Sequence, residues 1–179
     1  MSKNDLQAII MGLVLILAQA IVFDNVCLFN VAVPFVFIYV IFKLPMTMGV
    51  NPVLIISFLL GLMIDIFADT YGMNALASTV TAMTRRGVLN LYIPRGDEPA
   101  DPVPSFKSIG RGPYIKYMAT MTLIYCVLIF AIESFTFFNF WLTVARVIAS
   151  TALSLVLMLG VDFLSLIHIS EPTRLRCIS

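Results

Sequence analysis

The chain has 179 residues, 60% of them hydrophobic and 12% charged, with a formal net charge of +1 and a mean hydropathy of +1.00. A soluble domain carries roughly twice that share of charged residues, so a water-soluble globule is excluded, and near-neutrality gives no basic surface for nucleic acid. Apolar runs near the length needed to cross a bilayer recur along the sequence, which predicts an all-α polytopic membrane protein.

The first run, about 6–23, follows Lys3 and Asp5 without a small-residue cleavage site, and is expected to be an uncleaved first span. The second, about 29–43, contains Pro34, which is expected to kink it, and closes at Lys43. The third, about 50–68, has Pro52 where a first helical turn accepts it. A fourth, about 73–84 (MNALASTVTAMT), is short and only moderately apolar. Its alanines, serines and threonines suit a helix packed closely against neighbours rather than lipid. Two further runs follow at about 116–134 and 140–162.

Between them, the segment 87–115 holds Pro94, Pro99, Pro102, Pro104 and Pro113 with Gly96, Gly110 and Gly112, a composition that forbids a continuous helix. Its centre is expected to be flexible surface, either a docking loop or a plain linker. The preceding "RRGVLNLYI" is expected to lie along the membrane interface, with Arg85 and Arg86 reaching headgroups. Of the cysteines Cys27, Cys126 and Cys177, Cys126 sits within an apolar run and reads as a small buried hydrophobe.

Charge placement sets the expected topology. Arg85, Arg86, Arg95, Lys107, Arg111 and Lys116 all fall between the fourth and fifth runs, whereas 24–28, 69–72 and 135–139 contain no Lys or Arg. If all six runs span, Lys3, Lys43 and this basic loop share one side, as the positive-inside bias requires. Six spans with a cytoplasmic N-terminus follow as the expectation.

The stretch "FLLGLMIDIFADTYGMNAL", residues 58–76, raises the functional question. Asp65 and Asp69 are four residues apart at the end of the third run, a spacing that puts both on one helix face, with Gly61 four residues further back. Gly61 would admit a second helix beneath the carboxylates. Gly72 suits a tight turn with positive φ, and Asn74 a helix N-cap. Arg146 lies roughly 9 Å into the last run at 1.5 Å per residue, and Glu133 closes the fifth at a similar level. Buried charges in spans pair or face polar cavities, so Asp65 is expected to pair with Arg146, with Asp69 and Glu133 nearer water. For Asp65 and Arg146, a structural ion pair, a partner-binding or ligand-lined cavity, and unrelated snorkelling remain alternative readings. Phe135, Phe137, Phe138, Phe140 and Trp141 read as an interfacial aromatic belt.

The final segment "LSLIHISEPTRLRCIS", 164–179, resembles the in-frame translation of a transposase-based sequencing-library adaptor over eleven consecutive residues. The natural sequence is therefore expected to diverge soon after Asp162 and Phe163. The sole histidine, His168, falls inside that segment, so no catalytic residue, cofactor or metal ligand is assigned.

The arrangement "GLMIDIF…YGMNALASTV" resembles the rod shape-determining MreD family, as do the short spans over most of residues 1–163. The Pro-rich basic loop looks like the Bacteroidota variant. The resemblance implies a six-helix bundle similar to the substrate-binding subunits of vitamin-type transporters, and a non-catalytic inner-membrane component of the cell-wall elongation machinery. It implies partnership with an MreC-like bitopic protein, and through it with an MreB-like filament and a RodA–transpeptidase pair. Gly61, Asp65, Gly72 and Asn74 match the recurrent positions and would be structural or interface residues. Small-residue surfaces on the third and fourth spans would then receive the partner's single span. A solute-binding transporter subunit is the alternative. An intramembrane enzyme fits less well, because the buried acids are few and Asp162 stands alone in the sequence.

Overall fold

The computed structural model describes residues 33–93, 102–106, 108–133 and 140–170, with side chains through Phe163. The first predicted run, 6–23, lies outside the described residues. Those described form five α-helices: α1 (Ile38–Phe42), α2 (Val50–Ala68), α3 (Met73–Tyr92), α4 (Arg111–Glu133) and α5 (Phe140–Ser170). Three stretches are long and apolar enough to cross a membrane: Val50–Ala68, Arg111–Glu133 and Phe140–Phe163. Large apolar side chains are exposed along the spanning helices, as a bilayer solvent favours, among them Ile55 and Ile66 on α2 and Ile148 and Val156 on α5.

The second predicted span departs from expectation. Of its described residues, 33–43, only Ile38–Phe42 are helical, and residues 33–36 take no regular structure. Pro34 is the local cause, since it cannot donate to a helical ladder and disfavours helix at the residue before it. Non-helical backbone in an apolar bundle survives only where its polar groups find protein partners. Here α5 supplies them: the Val33 N–H donates to Ser150 Oγ at 3.0 Å and the Phe35 N–H to Ser154 Oγ at 2.8 Å. The segment is the centre of the core. Phe37, Ile38 and Ile41 have no exposed surface, and Phe35 and Phe37 meet the edge or face of Tyr125 at 5.2 and 5.7 Å between centroids.

The fourth run is a helix, and longer than expected. It continues through "RRGVLNLY" to Tyr92, so these residues are not a separate interfacial segment. The helix is polar by composition because its small residues pack against α2 on one side and α4 on the other. Gly61 shows how close α2 and α3 come: a Cβ placed there would lie 2.4 Å from Ser78 Oγ, 2.6 Å from Ala75 Cα and 2.7 Å from the Asn74 carbonyl oxygen. The small-residue surfaces of the third and fourth runs are therefore spent on each other rather than left for a partner.

The Pro-rich connection is shorter than 87–115, since α3 and α4 claim both ends. Its described part folds back on the bundle: the Met46 N–H donates to the Pro102 carbonyl at 2.6 Å, Pro104 is buried, and Phe106 packs edge-on against Tyr114 at 4.7 Å.

Candidate functional site

Two buried polar clusters and one arginine clamp tie the helices together. The first closes the α2–α3 turn. Helix α2 ends when Asp69 adopts a left-handed conformation (φ 53°), and Gly72 (φ 76°) starts α3 after three residues. Asp69 is thereby turned out and exposed, while Asp65 is 3% exposed, so the two do not share a face. The Asp65 carboxylate accepts four hydrogen bonds: from Thr70 Oγ1 at 2.5 Å, the Asn74 N–H at 3.0 Å, Asn74 Nδ2 at 3.0 Å and the Ala75 N–H at 2.8 Å. It caps the N-terminus of α3 from the neighbouring helix, where an anion satisfies otherwise orphaned N–H groups and complements the helix dipole. Asn74 is not the N-cap. It is the second helical residue, and its Oδ1 accepts from Tyr125 of α4 at 2.6 Å, extending the cluster to a third helix.

The expected pair of Asp65 with Arg146 does not form. No carboxylate among the described residues lies within 4.0 Å of the Arg146 guanidinium, which is half-buried with an Nε that has no acceptor. The physical reason is local: the start of α3, just past a tight turn, gives the Asp65 carboxylate four donors from near neighbours, so its burial needs no distant cation. Glu133 is exposed at the end of α4.

The second cluster, at the opposite end of the helices, holds the acid that stood alone in the sequence. Asp162 of α5 is 4% exposed. Its Oδ1 accepts from the Tyr39 hydroxyl at 2.6 Å and pairs with Lys43 Nζ at 2.7 Å, while Oδ2 accepts from the Tyr114 hydroxyl at 2.7 Å. Lys43 also lies over both rings, 5.4 Å from the Tyr39 centroid and 5.1 Å from that of Tyr114. One carboxylate thus joins the segment after α1, the start of α4 and the end of α5. Lys43, Tyr39, Tyr114, Tyr125, Ser150 and Ser154 escaped sequence reasoning. One signal was present: Arg146, Ser150, Ser154 and Asp162 repeat at multiples of four on a single helical stripe.

Arg85, expected at headgroups, is 4% exposed inside the bundle. Its Nη2 donates to the Leu44 carbonyl and the Tyr117 hydroxyl lies beside it, so it fastens α3 to the connection between α1 and α2. Arg86, Arg111 and Lys116 are exposed at this same end. Arg95 and Lys107 lie outside the described residues. Cys126 is buried. Among the described residues, no three His, Cys, Asp or Glu side chains gather as a metal site. Both carboxylate clusters are closed networks suited to holding helices in register, since each oxygen already has its donors. Comparisons with family models, curated proteins and solved structures find no match for this chain.

Proposed function

We propose that the protein is a non-catalytic membrane scaffold of the MreD type, working in a bacterial inner membrane with its N-terminus cytoplasmic. In this reading it binds an MreC-like bitopic protein and acts through it on an MreB-like filament and a RodA–transpeptidase pair. The observation that supports the reading is the α2–α3 lock. Gly61, Asp65, Gly72 and Asn74 carry the resemblance, and all four belong to one interlocked turn: a close approach, a cap, a positive φ and a bridge to Tyr125. A sequence motif spent on rigidity is what a platform for another protein needs.

The test is co-purification of the full chain from a rod-shaped host with a tagged MreC-like protein. Its companion is restoration of rod shape in cells depleted of their own MreD-like protein. The expected result is a stable complex and recovered rods, both lost on Asp65→Ala in protein that still reaches the membrane. A chain that neither binds such a partner nor restores shape overturns the proposal. The alternative, a solute-binding subunit of a vitamin-type transporter, draws on the half-buried Arg146, which has no carboxylate partner among the described residues and would suit an anionic solute. A small molecule that co-purifies with the wild type and is lost from Arg146→Leu would favour it.

A further inference from the structure

Between the α1–α2 connection and α3 lies a small cleft of about 30 Å³, walled by Met46, Met48, Val53 and Met83 and also lined by Arg85 and Arg86. Its chemistry is unbalanced. Neither arginine has a carboxylate within 4.0 Å among the described residues, so two neighbouring cations line the cleft with no counter-charge from those residues. Arg85 is 4% exposed, and with Nη2 engaged by Leu44 its Nε–H is enclosed without any acceptor. A buried donor left without an acceptor costs roughly 1–3 kcal/mol. A water would satisfy that N–H but would leave both charges uncompensated. An oxyanion does both, and guanidinium groups match the oxygens of phosphate.

We propose that this cleft binds a phosphate group. One phosphate oxygen enters the space of one or two waters beside Arg85, and Arg86, exposed at the mouth, takes a second oxygen. The three methionines are the adaptable part of the wall. Two sources offer this chemistry, an anionic phospholipid headgroup and free inorganic phosphate. The surroundings favour the lipid, because Met83 lines the cleft and is an apolar side chain left 69% exposed on α3. The site is independent of the scaffold reading, which neither requires nor excludes it.

The experiment is native mass spectrometry of the full-length protein in detergent, titrated separately with phosphatidylglycerol, phosphatidylethanolamine and inorganic phosphate. The expected result is one phosphatidylglycerol per chain, bound about tenfold more tightly than phosphatidylethanolamine. Arg86→Gln should weaken it by a similar factor, whereas Lys116→Gln, which removes an exposed charge from α4 outside the cleft, should not. Met83→Trp, which crowds the cleft without changing charge, should also weaken binding, and spares Arg85, whose loss would unfasten Leu44. If inorganic phosphate binds with the same dependence on Arg86 and displaces the lipid, the phosphate site stands and its source is the free ion. Equal loss with Arg86→Gln and Lys116→Gln overturns the proposal in favour of diffuse charge attraction, and equal binding of the two lipids overturns it by showing that the anionic charge on the lipid contributes nothing.

Discussion

At the scale of single residues, a buried carboxylate can be satisfied by donors from an adjoining turn without a cation from elsewhere in the bundle. Asp65 shows this most directly, because four donors from Thr70, Asn74 and Ala75 surround it. Replacing it with Ala strands those donors, and should lower stability by at least about 3 kcal/mol, read as a fall in thermal unfolding midpoint in detergent. Arg146→Leu should leave that midpoint nearly unchanged, since it removes no hydrogen bond to Asp65. A large loss there would mean that the guanidinium carries structural weight. For Lys43 and Asp162, 2.7 Å apart, a double-mutant cycle of Lys43→Met and Asp162→Asn should yield a coupling on the order of 1–3 kcal/mol. Additive effects would show that the two rings and hydroxyls, not the ion pair, hold the cluster. Composition identified which residues are too costly to bury alone. It could not say which partner each finds, because Asp162 meets Tyr39 and Tyr114 across 123 and 48 positions of sequence.

At the scale of elements, α2 and α3 form a hairpin whose separation is set by one missing side chain. Gly61→Ala forces a carbon against Ser78 Oγ, Ala75 Cα and the Asn74 carbonyl. It should cost about 1–3 kcal/mol by overpacking. Adding Ser78→Gly should recover only part of the loss, since it clears one of three contacts and the other two are backbone. Full recovery would show that the hydroxyl alone is the obstacle. The turn glycine, the packing glycine and the small-residue helix were all legible in sequence, because local conformation and close packing leave compositional traces. The break after Pro34 was legible only as a kink. Its true form depends on Ser150 and Ser154, and hydropathy treats a serine that props up backbone like any other mildly polar residue. Changing both serines to Ala should cost about 1–2 kcal/mol for each N–H left bare, again read by thermal unfolding.

At the scale of the whole molecule, the two buried carboxylates lie at two levels, with Asp65 and its partner Asn74 near one end and Asp162 with Lys43 near the other. The sidedness expected from loop charge can be tested with single cysteines in a cysteine-free background, labelled in intact cells by a membrane-impermeant maleimide. Tyr71→Cys, at a fully exposed turn, should react from outside, and Arg111→Cys only after permeabilisation. The reverse pattern would invert the molecule and the positive-inside argument with it. The membrane class was plain from composition. The expected six spans are met only in part: among the described residues three helices are long and apolar enough to cross a membrane, the second run is helical only over Ile38–Phe42, and α3 is too polar for hydropathy to recognise.

The unwound segment has a consequence for biogenesis. Its two propped amides wait for hydroxyls 117 and 119 residues downstream. At a synthesis rate of about 5–20 residues per second, that gap lasts roughly six to twenty-four seconds. Until the last helix leaves the ribosome, this stretch has no stable place in hydrocarbon. It must linger in water, at the headgroup layer or in the insertion machinery, so the bundle closes around its own middle last.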